Sequence, residues 1–223
     1  GADLFEPVRS NAVEAAAAEI ATAHRDPAAQ IAAALGFVQR EGRYFAVLFG
    51  TGGYEPAHPD ETLRLGEGEC KAKSLLLVSV LHAMGFDAQV AFVNSGIGPM
   101  LAELPPSEAV FDHVIVTVMH QGRRYWLEPS TFEQAGTLET LSQPDYGFAL
   151  IADGQSTLQP MDIGLEEPTL EVDTRLQISS MQAGAVHGMA VRVTVSGPAA
   201  DQARMIEAMS GRAQMLQHLR TVA

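Results

Sequence analysis

The chain has 223 residues, enough for one full domain and a smaller additional unit. Hydrophobic residues make up 47% and charged residues 18%, a balance that excludes a disordered chain. Fourteen lysines and arginines against 27 acids give a net charge of −13, which repels nucleic-acid phosphates and anionic membrane surfaces. No apolar run approaches the ~20 residues that span a bilayer, and a single cysteine excludes an internal disulfide.

Two helices are predicted before any strand. The first runs from Ala12 to Ala23 behind Asn11 as its N-cap, and its apolar residues share one face. The second begins at Asp26-Pro27, an N-cap followed by a first-turn proline, and continues to Gly42. A short strand from Arg43 to Phe49 follows, and a loop is predicted from there to Glu69.

The middle of the chain predicts a buried central helix and a β-hairpin. The helix is apolar over Cys70 to Met84 and is followed by Gly85 in the C-cap region. A strand at 87–93 and a loop rich in Pro and Gly at 94–108 come next. Two hairpin strands follow, at 111–119 and 124–128, around the turn 120–123. A short strand at 148–151 closes this part of the chain.

An acidic stretch rich in Gly and Pro, residues 162–168, is the predicted boundary between two parts of the chain. It separates a core at 1–165 from a C-terminal extension at 166–223, which could belong to a further β domain. The extension is predicted to contain two paired strands and one Met-rich helix, at 170–178, 189–195 and 199–219.

The only cysteine, Cys70, stands in the first turn of the predicted central helix, directly after Gly66-Glu-Gly-Glu. The helix dipole and unpaired backbone N–H groups at such a position favour the thiolate, and Lys71 and Lys73 act in the same direction. A lone cysteine is more often a buried structural residue. The glycines before it suit a nucleophile whose backbone N–H must meet an oxyanion, so both interpretations remain open.

A reactive thiolate needs an imidazole, and His113 lies on a predicted strand face together with Ile115. By itself, such a histidine is more often a hydrogen-bonded core residue, and Glu128 more often a solvated acid at a strand end. A two-residue turn puts Glu128 on the face of His113 in either register, directly opposite His113 or opposite Ile115 and diagonal to His113. A three-residue turn without a bulge would send Glu128 to the other face.

Three motifs in this order resemble the bacterial transglutaminase-like superfamily, in particular exported multidomain members with an N-terminal domain of unknown function. They are Gly66-Glu-Gly-Glu-Cys70-Lys-Ala-Lys-Ser74, Phe111-Asp-His113-Val-Ile-Val and Tyr125-Trp-Leu-Glu128-Pro129-Ser130. The resemblance covers roughly residues 20 to 160. It implies a papain-like α+β core with helices packed on an antiparallel sheet and a Cys-His-Asp triad.

Carried onto this chain, the resemblance makes Cys70 the nucleophile, His113 the base and Glu128 the orienting acid. The family usually has Asp at the position of Glu128 and an acidic residue at the position of Ala72. An oxyanion hole would combine the Cys70 backbone N–H with Tyr44, for which a core position is the alternative and Gln39 is a rival donor.

The expected function is thiol-dependent acyl transfer or hydrolysis of peptide or protein amide or ester bonds. The alternative is a catalytically weak or inactive module that binds a peptide or protein. The resemblance also suggests a periplasmic or extracytoplasmic location. The chain opens at Gly1 without the basic and apolar segments of an export signal, which is compatible with processing or with excision from a longer protein.

Other ligand sites are not predicted. The spacings CxxC, HxxxH and HExxH do not occur, which argues against zinc, and no Asp/Asn-rich loop suggests calcium. The segment Gly50-Thr-Gly-Gly lacks the Gly-Lys-Ser/Thr ending of a phosphate loop. We therefore expect no cofactor and no metal. The expected partners are a peptide or protein substrate and neighbouring domains of a longer chain, with neither nucleic acid nor membrane insertion.

Overall fold

The computed structural model describes residues 2–41, 43–44, 55–131, 134–143, 145–154, 157–163, 170–177 and 188–222. The chain divides into two compact units, residues 1–164 and 165–223, and each is described by itself. The identification of these units as a transglutaminase-like core at 1–165 and an extension at 166–223 stays a prediction.

The described part of the first unit has four α-helices, three of which pack around the fourth. They are α1 (Asn11–Ala23), α2 (Pro27–Glu41), α3 (Pro59–Leu65) and α4 (Cys70–Ala83). Helix α4 is apolar on nearly all sides and buried along most of its length, because the other three helices pack against it and the sheet lies beneath it. It ends as predicted, with Gly85 at a φ of 87° and its N–H bonded to the His82 carbonyl.

Of the two predicted N-cap residues, the structure confirms one and corrects the other. Asp26 caps α2 as expected, since its side chain accepts a hydrogen bond from the Ala29 N–H at 2.9 Å. The N-cap of α1 is Ser10 rather than the predicted Asn11, because the Ser10 side chain accepts from the Val13 N–H. Asn11 is the first helical residue.

The predicted loop before Glu69 was wrong in part, because it contains helix α3. His58 caps this helix through its ring nitrogen, Pro59 is its first residue and two acids stand in its first turn. These start signals are present in the sequence, but seven residues are too few to show helical periodicity.

Nine strands are described along the chain, seven of them in the first unit. These seven are β1 (Arg43–Tyr44), β2 (Glu67–Gly68), β3 (Ala88–Val93), β4 (His113–His120), β5 (Arg123–Leu127), β6 (Phe148–Ile151) and β7 (Gln159–Pro160). Strands β1 and β2 form a parallel pair, and the others form an antiparallel sheet in the order β5-β4-β3-β6-β7. Of the strand predicted at 43–49, residues 45–49 lie outside the described part of the chain.

The sheet has two buried faces, which follow from the alternation along β4. Val114, Val116 and Val118 pack in the larger core that includes the helices. Ile115 points to the opposite face and joins Trp126 in a smaller apolar cluster. The architecture is the predicted α+β class, with helices on an antiparallel sheet. The loop predicted at 94–108 includes the 3-10 turn Gly98–Glu103 and the start of a second at Glu108–Val110.

The second unit contains the antiparallel pair β8 (Leu170–Gln177) and β9 (Gly188–Val195), as predicted. The single helix predicted at 199–219 is two helices, α5 (Gly197–Ser210) and α6 (Arg212–Val222). They are separated by Gly211, whose φ of 84° is incompatible with a continuous helix. None of the described helices combines the length and apolar character needed to cross a bilayer.

Candidate active site

Glu69 is the N-cap of α4 and defines the surroundings of Cys70. Its two carboxylate oxygens accept hydrogen bonds from the backbone N–H groups of Ala72 and Lys71, each at 3.0 Å. The Lys71 ammonium lies 2.7 Å from the same carboxylate, and the Cys70 sulfur 3.5 Å from it. Two of the N–H groups predicted to be unpaired beside the thiol, those of Lys71 and Ala72, are therefore bound by Glu69, and the charge of Lys71 is paired with it.

Packing of α4 on the sheet brings Cys70 to the start of β4. The Ser74 hydroxyl, one turn along the helix, donates a hydrogen bond to the Val114 carbonyl at 3.1 Å. The thiol is buried, with 9% of Cys70 exposed, and it lies close enough to His113 to raise the pKa of the imidazole. The structure thus brings together a cysteine and a histidine that are 43 positions apart.

The β4-β5 hairpin decides where Glu128 lies. His120 pairs with Arg123 across a two-residue turn in which Gln121 and Gly122 have positive φ values of 50° and 78°. Positive φ at both central positions is the type I′ geometry, whose twist matches that of paired strands. Of the two predicted registers, this is the one that puts Glu128, the residue after Leu127, opposite Ile115 and diagonal to His113. The turn of three residues is excluded.

The Glu128 carboxylate is buried, only 3% exposed, and has three hydrogen-bond donors. The Nε2 atom of His113 lies 2.7 Å from Oε2, and the Tyr146 hydroxyl donates to the same oxygen at 3.0 Å. The Ser130 backbone N–H donates to Oε1 at 2.9 Å. These partners support an ionised carboxylate in a site that excludes most water.

The charge of His113 follows from its two neighbours. Burial lowers its pKa, but hydrogen bonds with Cys70 and Glu128 and the negative charge of both outweigh burial and raise the pKa to about 10. The imidazolium is therefore favoured at neutral pH. Because Nε2 faces Glu128, Nδ1 is the ring nitrogen left for the sulfur.

Tyr146 completes the surroundings of Glu128. Its ring packs edge-on against His113 at a centroid distance of 5.8 Å. Burial first, and then the negative charge of Glu128, raise the pKa of Tyr146 above its ordinary value. The phenol consequently stays neutral and acts as a hydrogen-bond donor to the carboxylate.

Lys73 is a second cation near Glu128. It is 1% exposed, and Gly68 makes room for it, since a Cβ at Gly68 would lie 3.3 Å from the Lys73 Cγ. Burial lowers the pKa of Lys73 to about 8, although the charge of Glu128 acts in the opposite direction. The two lysines after Cys70 therefore differ, because Lys71 pairs with Glu69 and Lys73 interacts with Glu128.

The structure describes the side chain of only one of the two candidate oxyanion donors, Gln39. The backbone of Tyr44 pairs with Gly68, two residues before Cys70, but its side chain lies outside what the structure describes, so its role stays a prediction. The Gln39 side-chain N–H groups donate to the Glu128 carbonyl at 2.9 Å and to the Gln134 side chain at 3.1 Å. Both amide hydrogens of Gln39 therefore already have protein acceptors.

Sequence reasoning missed Glu69 as a cap and Tyr146 as a partner of Glu128. Glu is less typical at an N-cap than Ser, Thr, Asp or Asn, but its place directly before the helix is a usable signal. Tyr146 lies 18 positions beyond Glu128, and no local pattern indicates their contact. Within the described residues, no group of three or more His, Cys, Asp or Glu side chains is placed to bind a metal ion.

No protein-family model matches this chain, and neither does any curated protein. Among solved structures, it is similar to a protein from Parabacteroides distasonis described as a "putative protease". The match has a TM-score of 0.54 and 15% sequence identity, and it covers 73% of this chain and 30% of that protein. At this identity the similarity concerns the fold, and it agrees with the α+β architecture.

Proposed function

We propose that this chain is a cysteine-dependent hydrolase or acyltransferase of the transglutaminase-like type, acting on peptide or protein amide or ester bonds. The observation that carries the proposal is the convergence of three side chains, with Cys70 brought to the start of β4 by the Ser74–Val114 hydrogen bond and His113 2.7 Å from Glu128. A nucleophile, a base and an orienting acid in contact are the parts that covalent acyl transfer requires. The fold shared with the Parabacteroides distasonis protein is compatible with this chemistry.

In the proposed first step, the Cys70 thiolate attacks the substrate carbonyl and forms a C–S bond. The carbonyl oxygen takes the negative charge and is stabilised by the Cys70 backbone N–H and Tyr44, which are the proposed oxyanion donors. As the tetrahedral intermediate collapses, the C–N or C–O bond breaks, and His113 gives its proton to the leaving group. The products are a thioester on Cys70 and a free amine or alcohol.

In the second step, His113 is neutral and takes a proton from the incoming nucleophile. Water yields a carboxylic acid, whereas a substrate amine yields a new amide, and either regenerates the Cys70 thiolate and the imidazolium. Glu128 keeps the imidazole oriented and stabilises its positive charge in both steps. Access of water to the thioester decides between hydrolysis and transamidation.

Acylation of Cys70 is the direct test. The protein is incubated with peptide p-nitrophenyl esters, and its intact mass is recorded together with p-nitrophenol release. We expect a mass increase equal to one acyl group, reversible with hydroxylamine as a thioester is. Cys70→Ala should show neither signal, and His113→Gln should acylate far more slowly. Acylation of wild type at the same rate as a small free thiol would contradict the proposal.

One observation favours a second candidate, a weak or inactive module that binds peptides. The Glu69 carboxylate occupies the helix N–H groups beside Cys70 and lies 3.5 Å from its sulfur, which opposes formation of a second anion there. The pH dependence of alkylation by iodoacetamide separates the two functions. An enzyme should react fast below the ~8.5 at which an ordinary thiol ionises, whereas the module should react slowly there.

A further inference from the structure

An apolar cleft of about 650 Å³ opens in the first unit, beside the loop that leads into β4. Nine of its twelve lining residues are apolar, among them Leu101, Leu104, Pro105, Phe111, Leu150 and Leu158. Leu104 is 42% exposed, so apolar surface is left uncovered at the cleft. A concave, mostly apolar site of this size is typical of ligand binding.

The wall of the cleft is connected directly to the candidate active site. Phe111 has extended backbone angles (φ −97°, ψ 129°) and precedes His113 by two residues. Two residues of extended chain span about 7 Å. The Asn94 side chain donates to the Val110 carbonyl, and the Asp112 carboxylate accepts from Ser95, which hold this wall against the end of β3.

The charged side chains of the loop over the cleft are all acidic. No lysine or arginine occurs between Lys73 and Arg123, whereas the loop over the cleft carries Glu103, Glu108 and Asp112. Glu108 lines the cleft itself and is exposed. A ligand with a positive charge beside its apolar part would therefore be attracted, and an acidic ligand repelled.

We propose that this cleft binds the substrate of the proposed enzyme, by holding an apolar side chain of an extended peptide about two residues from the bond that Cys70 attacks. A lysine or arginine next to that apolar residue faces Glu108, the acid that lines the cleft. The inference rests on the proposed function, and it names the substrate class as apolar-basic peptide segments rather than acidic or polar ones.

The test measures binding separately from chemistry. The full chain carrying Cys70→Ala is titrated against two fluorescein-labelled octapeptides, followed by fluorescence anisotropy. One peptide has Leu-Lys at its centre, and the other has Ser-Glu in an otherwise identical sequence. Because only the first peptide can bury a leucine side chain in the apolar cleft, we expect it to bind at least about tenfold more tightly.

Two substitutions locate the binding on the cleft. In the Cys70→Ala background, Leu104→Ser should weaken binding of the Leu-Lys peptide about tenfold, and Glu108→Lys should weaken it and reduce its salt dependence. Met119→Ser is the matched control, since Met119 is an exposed apolar residue of β4 that does not line the cleft, and it should leave binding unchanged. Thermal unfolding verifies that each variant is folded.

The outcomes separate this inference from the proposed function. Binding of the Leu-Lys peptide that depends on Leu104 and Glu108 supports the cleft, even if wild type never acylates. Acylation of wild type without any preference between the two peptides overturns the cleft and leaves the proposed function standing. Equal binding of both peptides, or weakening by Met119→Ser as large as that by Leu104→Ser, also overturns it.

Discussion

Two buried glutamates flank the Cys70-His113 pair, one on the helix side and one on the strand side. Glu69 is 8% exposed and accepts hydrogen bonds from backbone N–H groups of α4 and from Lys71. Glu128 is 3% exposed and accepts from a ring nitrogen, a phenol and one backbone N–H. The same residue type is buried and satisfied in both places.

The difference lies in what each carboxylate faces. Glu128 faces the imidazole and stabilises its positive charge, so it supports the charged form of the Cys-His pair. Glu69 faces the sulfur and adds negative charge where a thiolate would form, while its cap stabilises the helix. The two glutamates therefore show that a full set of hydrogen bonds does not by itself give a buried carboxylate a catalytic role. The charge on the facing group decides it.

Loss of the Glu128 charge should have the largest effect. Glu128→Gln is expected to reduce the rate of Cys70 acylation about 10³-fold, because the amide stabilises neither the imidazolium nor its orientation. The pKa of His113, measured by NMR titration, should fall from about 10. Glu128→Asp keeps the charge and should retain more activity than Gln. Equal rates for wild type and Glu128→Gln would remove the distinction between the two glutamates.

The buried Lys73 beside Glu128 should make the stability of the protein depend on pH. Its folded-state pKa is lowered from 10.5 to about 8, so the folded state binds fewer protons than the unfolded state between these pH values. The burial penalty is complete below pH 8 and disappears as pH rises through 10.5. Wild type should therefore gain up to about 3 kcal/mol of unfolding free energy over this range relative to Lys73→Met.

Chemical denaturation of both proteins at a series of pH values measures this difference. Lys71→Met, one position from the cysteine and paired with Glu69, is the control and should show no comparable gain. A wild-type advantage that is constant from pH 8 to 10.5 would show that Lys73 is not held in an environment that disfavours its charge.

Glu69→Gln should act in the opposite sense to Glu128→Gln. Removal of the negative charge beside the sulfur is expected to raise the rate of Cys70 alkylation at pH 7 by about three- to tenfold. The weaker cap and the unpaired Lys71 should reduce the unfolding free energy by about 1 kcal/mol. Iodoacetamide kinetics and thermal unfolding test both parts. Slower alkylation would mean that Glu69 assists the thiol instead of opposing it.

Tyr146→Phe should have the smallest effect. It removes one of three hydrogen bonds to Glu128 but keeps the ring packed on His113, so acylation should slow less than about tenfold, with about 1 kcal/mol lost in stability. The same ester assay measures the rate. A loss as large as that of Glu128→Gln would place the phenol in the reaction itself.

Many helices and strands were predictable because their signals are local. The Asp26-Pro27 start of α2, the apolar length of α4 and the alternation of β4 each lie within a few residues. The errors also have local causes. Helix α3 is too short for periodicity, Ser10 competes with Asn11 for one cap, and Gly211 interrupts a pattern that continues on both sides.

The candidate site was predictable only in part. Cys70, His113 and Glu128 could be named because each belongs to a recognisable segment. The possible turn lengths of the hairpin also limited Glu128 to a few positions relative to His113. The register was settled by the positive φ values of Gln121 and Gly122, which the sequence allows but does not require. The hydrogen bonds that Gln39 donates to the Glu128 carbonyl and Tyr146 to the Glu128 carboxylate have no sequence signal, because these residues lie on separate segments.

By itself, the sequence determined the long helices and the longer strands of the first unit, and it named side chains that could perform nucleophilic chemistry. The tertiary structure alone decided that Glu69 binds the Lys71 and Ala72 N–H groups beside Cys70, and that Lys73 is buried within reach of the Glu128 charge. The reason is physical. Secondary structure depends on neighbours in the chain, whereas the charge state of a buried group depends on whatever packing brings within a few ångströms of it.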